Sequence, residues 1–167
     1  WSAGCSTGEE AYTLAMETHD YLGNIIISGE RFKILGSDIN TDVLDTSIIA
    51  RYNNELVKLV PENLRKRYFF SEKLENKNYL QIKQNIKDLI QFRHFNLLAS
   101  EYPIATKFQL IFCRNVLYYL DQKSREKVLM QLVEHLDHGG YLVLGITESG
   151  YNVEGVEKKS YSIYQKK

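Results

Sequence analysis

Cysteine, proline and tryptophan are scarce in this chain of 167 residues, which holds two, two and one of them. Cys5 and Cys113 are too few for a disulfide framework. Without secretory features around them they predict small buried residues in a reducing compartment, so the expected localisation is cytoplasmic. No apolar run approaches the length of a membrane span, which speaks against membrane insertion as a helix. Hydrophobic residues at 44% and charged ones at 25% describe a soluble globular protein. The formal net charge is zero, which argues against a dedicated nucleic-acid or anionic-membrane binder. His19, His94, His135 and His138 make no zinc-like set with the cysteines, so no metal is expected. Repeats and low-complexity stretches are absent, and so is an initiator Met: the chain starts at Trp1 and is read as a piece of a longer protein. Its length suits one domain with a single core.

What is present is an alternation of helical and strand patterns, the signature of an α/β fold with a parallel sheet. Ala11, Leu14, Ala15, Thr18 and Leu22 mark one face of a first helix that ends near Gly23. Residues 32–38 read as a strand, and Asn40 or Thr41 caps a second helix carrying Val43, Leu44, Ile48 and Ile49. Residues 108–113 read as a buried strand. Asp121 then opens a helix with Val128, Leu129, Leu132, Val133 and Leu136, which Gly139-Gly140 is expected to stop. Residues 141–145 and 160–164 are the last two predicted strands.

The alternation breaks between about residues 52 and 91. Pro61 suits the first position of a short helix through Tyr68. Residues 79–83 alternate apolar with polar as a half-exposed strand does, behind turn residues at 75–78. This predicts a small β-hairpin or subdomain inserted into the sheet's crossover. Residues 58–93 hold nine basic against four acidic residues.

Residues 1–12 are the most informative stretch, because a loop of small residues, Gly4-Cys5-Ser6-Thr7-Gly8, runs into a helix whose first turn carries Glu9 and Glu10. A glycine loop at a helix start normally favours phosphate, through free N–H groups and the helix dipole. Two carboxylates would repel one. The loop is also neither G-x-G-x-x-G nor the lysine-bearing P-loop pattern, so a sulfonium cofactor such as S-adenosylmethionine fits better. Thr7-x-x-Glu10 also reads as a capping box, and both roles for Glu10 are compatible.

In an open parallel sheet, ligands collect beyond the carboxyl ends of the strands. Asp38 ends the second strand, where it either accepts from ribose hydroxyls or leads into the next helix. Arg114 directly follows an apolar strand, where it makes a forked contact to a carboxylate or a structural ion pair. Asn96 and Asn115 present amides to an adenine edge or cap the segments after them. Tyr118-Tyr119 read as core aromatics, and His135 and His138 as surface residues favoured near a helix C-terminus.

These residues line up with a family. The segments WSAGCSTGEEAYTLAM at 1–16, LGSDIN at 35–40, FNLL at 95–98, FQLIFCRNVLYYLD at 108–121 and GGYLVLGITES at 139–149 closely resemble the cofactor-binding catalytic domain of the CheR-type chemotaxis receptor methyltransferases. The resemblance implies a Rossmann-like class I S-adenosylmethionine-dependent methyltransferase sheet over residues 1–167, with a small inserted β-subdomain at about 52–91 and the family's N-terminal helical domain absent. It implies a protein-glutamate O-methyltransferase that esterifies glutamates on chemoreceptor cytoplasmic domains, with S-adenosylhomocysteine as product. By that likeness Ala3, Gly4, Cys5, Glu10, Asp38, Asn96, Leu97, Cys113 and Arg114 line the cofactor site. Arg114 and Tyr119 stand beside the reacting methyl group. The inserted subdomain matches one that docks a C-terminal receptor peptide in some members. Where the family usually has Gly-His-Ser-Glu-Ser, this chain reads Gly145-Ile146-Thr147-Glu148-Ser149; Ala11 replaces a Pro, and Tyr118-Tyr119-Leu120 an Ile-Tyr-Phe run. Two alternatives stand beside this reading: a class I methyltransferase with another acceptor, and a non-catalytic module that binds the cofactor or its product.

Overall fold

The computed structural model describes residues 1–23, 32–74 and 77–167. In chain order it holds β1 (Ser2–Ala3), α1 (Glu9–Leu22), β2 (Ile34–Asp38), α2 (Thr41–Ile49), β3 (Arg51–Asn53), α3 (Asn54–Val57), α4 (Glu62–Tyr68) and β4 (Phe69–Leu74). Then come β5 (Lys77–Ile82), α5 (Gln84–Lys87), β6 (Ile90–His94), β7 (Phe108–Cys113), α6 (Gln122–Glu134), β8 (Leu136–Leu144), β9 (Val156–Ser160) and β10 (Ile163–Lys166). Two compact units divide the chain, residues 5–94 on one hand and residues 1–4 with 95–167 on the other.

In the unit of residues 5–94, β2 and β6 pair in parallel, from Ile34 beside Ile90 to Asp38 beside His94. Residues 90 and 91, expected to end the insertion, therefore lie in β6. The face that α1 buries is Ala11, Tyr12, Ala15 and Met16, turned by one position from the expected stripe. Tyr12 draws it round. Its ring packs against Tyr52 and Phe92 while its hydroxyl donates to the Ser47 carbonyl at 2.8 Å, so an aromatic with a polar handle takes a core place. Helix α2 starts at its expected cap, with the Asn40 side chain accepting from the Asp42 N–H at 2.9 Å. Of its four predicted core residues only Leu44 is buried; Ile48 and Ile49 are exposed, and Ser47 is buried in their place.

Strands β3, β5 and β4 form a separate antiparallel sheet in that order. Pro61 stands one position before α4, at its N-cap. The hairpin's strands β4 and β5 run in register from Phe69 beside Ile82 to Leu74 beside Lys77, and an ion pair joins Arg51 to Glu72 at 2.6 Å. The predicted turn falls partly on residues 75 and 76, outside the described residues. Tyr52, Tyr68, Phe69 and Ile82 from this region share one buried cluster with Ala11, Tyr12, Ala15 and Met16 of α1.

In the other unit, β1, β7 and β8 are parallel, with Ser2 beside Phe112 and Cys113 beside Leu144. Strand β10 adds antiparallel to β8, and β9 pairs antiparallel with β10. Helix α6 opens on Asp121, whose carboxylate accepts from the Ser124 N–H at 3.0 Å, and buries Val128, Leu129, Leu132 and Val133 as expected. Its end differs from expectation. It stops at Glu134, and Leu136 and Gly139-Gly140 belong to β8. The glycines serve an irregularity in the strand: the register shifts between Phe108 beside Leu136 and Leu110 beside Tyr141. Gly139 has φ 73°, and a Cβ on Gly140 would lie 3.0 Å from the Phe108 carbonyl oxygen, too close for any other residue to fit easily. Of the predicted strand at 160–164, Ser160 ends β9 and Ile163 and Tyr164 open β10, while residues 161 and 162 form the turn between them. No helix among the described residues is long and apolar enough to cross a membrane.

Candidate functional site

Cys5 to Gly8 of the glycine loop, the end of β2 and the first turn of α1 lie within residues 5–94 and carry the acidic candidate residues. The Cys5 N–H donates to the Ser37 carbonyl at 2.9 Å, which anchors the loop to β2. Asp38 then holds two segments with one carboxylate: Oδ2 accepts from the Ser6 N–H at 2.9 Å and Oδ1 from the Asn40 N–H at 3.0 Å. The glycine loop and the segment leading into α2 are thereby both tied to the end of β2.

Gly8 is the N-cap of α1 at φ 93°, with no side chain capping the helix. The expected capping box does not form, because the Thr7 hydroxyl donates instead to the Glu9 carboxylate at 2.6 and 2.8 Å. Glu9 is exposed and Glu10 half-buried. The negative charges of Asp38, Glu10 and Glu9 all bear on Cys5, whose buried thiol is pushed up from 9.0 to about 12, first by burial and then by Asp38. Cys5 is thus a packed, protonated thiol rather than a nucleophile. Three carboxylates bear on one glycine loop, and the Ser6 N–H that could greet a phosphate is already engaged by Asp38. Such a set of carboxylates suits a positively charged group.

The second group of predicted residues lies in the other unit. Ala3 is buried in β1, and Gly4 comes next at φ 78° with Val116 filling the space where a Cβ would go. Cys113 ends β7 in full burial, while Arg114 and Asn115 beyond it are exposed. Asn115 adopts φ 60°, the left-handed conformation that Asn tolerates better than most residues. Tyr118 and Tyr119 are not core aromatics. Their rings lie 4.0 Å apart, centre to centre, and Tyr119 is 75% exposed.

Asn96 closes a tight turn by accepting from the Leu98 N–H at 2.9 Å, and the Leu97 carbonyl accepts from the Tyr102 hydroxyl at 2.7 Å. Buried Gln131 on α6 donates to the carbonyls of Ala99 and Ser100 at 3.2 and 2.9 Å, tying down the same loop. His135 is no free surface residue: its ring lies beside Tyr102 and Trp1, and its Nδ1 sits 2.8 Å from the Gln131 carbonyl.

Sequence reasoning missed three residues that shape these loops: Glu148, Gln131 and Tyr102. Glu148 is wholly buried, with both carboxylate oxygens engaged by backbone N–H groups. Its only signal in the sequence was a place three residues after Gly145 in a motif; a Glu between Thr147 and Ser149 otherwise reads as solvated. Among the described residues there is no group of three or more His, Cys, Asp or Glu side chains suited to a metal.

Comparison with known proteins gives this geometry a family context. Residues 1–164 match the model of the family described as "CheR methyltransferase, SAM binding domain". The chain is 32% identical to a chemotaxis protein methyltransferase of Borreliella burgdorferi, over 99% of this chain and 57% of that protein. It is 36% identical to a chemotaxis protein methyltransferase of Escherichia coli, over 92% of this chain and 53% of that one. The chain thus spans about half the length of these curated relatives. Among solved structures, the glycopeptide N-methyltransferase MtfA aligns at a TM-score of 0.51 and 13% identity, covering 86% of this chain and 44% of that one. PKMT2 from Rickettsia typhi in complex with AdoHcy aligns at 0.51 and 14%, covering 86% and 20%. These two share the α/β fold.

Proposed function

We propose that this chain, which belongs to the CheR methyltransferase family and is its S-adenosylmethionine-binding domain, serves a protein-glutamate O-methyltransferase acting on chemoreceptors. The observation that carries the cofactor reading is the acidic loop: Asp38, Glu9 and Glu10 bear on a glycine loop whose Ser6 N–H is already occupied. That arrangement fits a sulfonium and not a phosphate. The names of the relatives support the acceptor. The expected solvent-facing compartment for such an enzyme is the cytoplasm, where receptor signalling domains lie.

In this reading Ala3, Gly4, Cys5, Glu10, Asp38, Asn96, Leu97 and Cys113 contact the cofactor, and Arg114 and Tyr119 stand beside the reacting group. When bound, the cofactor supplies an electrophilic methyl carbon on a positively charged sulfur. A glutamate carboxylate with an ordinary pKa near 4.3 is already ionised at neutral pH, so no residue of this chain has to take a proton from it. The chain's contribution is alignment, which can supply about 7 to 11 kcal/mol of the barrier. Both charges disappear as the reaction proceeds, so a field that over-stabilised the ionic ground state would slow it. Arg114 is therefore assigned to orienting a carboxylate, and Tyr119 to a hydrogen bond near the donor sulfur. The basic excess over residues 58–93 supports docking of an acidic receptor peptide on the β3–β5–β4 sheet.

The test is methyl transfer from labelled S-adenosylmethionine to a receptor cytoplasmic fragment by the full-length protein. Base-labile methyl ester on the receptor is the expected product. Substituting Arg114→Ala should lower turnover far more than it weakens S-adenosylhomocysteine binding. Equal losses in both would make Arg114 a binding residue only, and no ester at all with the wild type would overturn the proposed reaction.

A further inference from the structure

The fully buried carboxylate of Glu148 has no part in the reaction as described, yet four backbone N–H groups, three of them in the loop that follows Arg114, donate to it. Its Oε2 accepts from the Gly145 N–H at 2.8 Å and the Asn115 N–H at 3.1 Å. Its Oε1 accepts from the Leu117 N–H at 2.7 Å and the Val116 N–H at 3.0 Å. Three consecutive N–H groups, at 115, 116 and 117, thus converge on one anion. The backbone explains how. Asn115 is left-handed at φ 60° and Val116 right-handed at φ −117°, ψ −47°, the alternation that turns successive N–H groups to the same side and makes an anion-binding hollow. In this chain the hollow is filled from within by Glu148, itself held at the end of a short 3-10 turn (Ile146–Glu148).

We propose that Glu148 is the positioning residue for Arg114: its carboxylate fixes the peptide on the C-terminal side of Arg114 and so sets where the guanidinium stands. The Asn115 N–H belongs to the peptide whose carbonyl is that of Arg114, so aiming that N–H at Glu148 fixes the Arg114 backbone. The requirement is for a carboxylate and not merely for a side chain of that shape. Each oxygen takes two donors, and an amide would turn an NH2 group towards two of the four N–H groups. This inference rests on Arg114 acting beside the reacting groups, as proposed above.

The test compares Glu148→Gln, Arg114→Ala and the double variant in the full-length protein. The expected result for Glu148→Gln is a fall in kcat of about 100-fold, the order produced by a 1 Å misplacement, with S-adenosylhomocysteine affinity retained. In the Arg114→Ala background Glu148→Gln should then cost nothing further, because its effect passes through Arg114. A second variant, Asn115→Val, disturbs the hollow from the solvent side by placing a β-branched residue at φ 60°, and should lower kcat in the same way. Wild-type kcat in either folded variant, or losses that multiply in the double variant, overturn the proposal. If Glu148→Gln does not fold, Asn115→Val decides. Amide-proton shifts add a readout independent of turnover: those of Asn115, Val116, Leu117 and Gly145 should lie downfield in the wild type, and ordinary solvent-exposed values overturn the proposal. An inactive wild type would count against the methyltransferase reading, while the amide shifts would still judge the hollow.

Discussion

Replacing Gly8 by Ala tests whether the start of α1 is as tightly determined as the loop geometry requires. Gly8 is buried at φ 93°, and a Cβ there would lie 2.7 Å from Ser47 Cβ and 3.3 Å from Phe92 Cζ. Two costs combine. Holding an L-residue in the left-handed region costs about 1–2 kcal/mol. Forcing a methyl group into a packed contact costs about 1–3 kcal/mol more, since Ser47 is itself fixed by its hydroxyl on the Leu44 carbonyl and by the Tyr12 hydroxyl on its own carbonyl. Together these predict a loss of roughly 2–5 kcal/mol, a large part of a typical total of about 5–15. For a chain of this size the melting temperature should fall by roughly 4 to 20 °C. Thermal unfolding followed by circular dichroism reads this directly. Gly150→Ala is the control, because nothing lies within 4 Å of a Cβ there, and it should change stability by no more than about 0.5 kcal/mol. If the two variants melt together, the argument that Gly8 is locked by its neighbours is refuted.

The same geometry predicts other outcomes. Burial raises the Cys5 thiol from 9.0 to about 12 and raises the hydroxyls of Tyr12 and Tyr52 as well. An acid whose folded pKa is raised favours the folded state fully below its unfolded pKa and progressively less above it. The melting temperature should therefore hold from neutral pH to about pH 9 and fall beyond it; a flat profile to about pH 11 contradicts the burial of these groups. On the hairpin, Lys73 and Lys77 are exposed beside its end. Their joint replacement by Glu should weaken capture of an acidic receptor peptide, read by fluorescence anisotropy, while cofactor binding persists. Unchanged capture would remove the hairpin from receptor docking.

The sequence exposed those elements whose periodicity or caps were local. Strand β7 has the bounds its apolar run predicts, and Asn40 and Asp121 cap the helices they precede. What it concealed depends on contacts distant in sequence. Tyr12 turns the buried face of α1 because a carbonyl 35 residues away accepts its hydroxyl. Gly139-Gly140 looked like a helix stop, and only the register against β7 reveals an irregular strand. The Thr7-x-x-Glu10 pattern matched a capping box, but Thr7 found a nearer acceptor in Glu9. The candidate site was legible as a set of residues at strand ends. Its supports were not, because Glu148, Gln131 and Tyr102 act on backbone groups, and backbone groups leave no mark on the composition of a motif.

The most direct measurement is calorimetric titration of this chain with S-adenosylhomocysteine and, separately, with ATP, repeated on an Asp38→Ala variant whose folding is verified by its melting curve. Binding of the first ligand alone by the wild type, lost on substitution, is the result predicted for an acidic glycine loop gathered by Asp38. Binding of ATP in place of S-adenosylhomocysteine, or undiminished binding by Asp38→Ala, contradicts it.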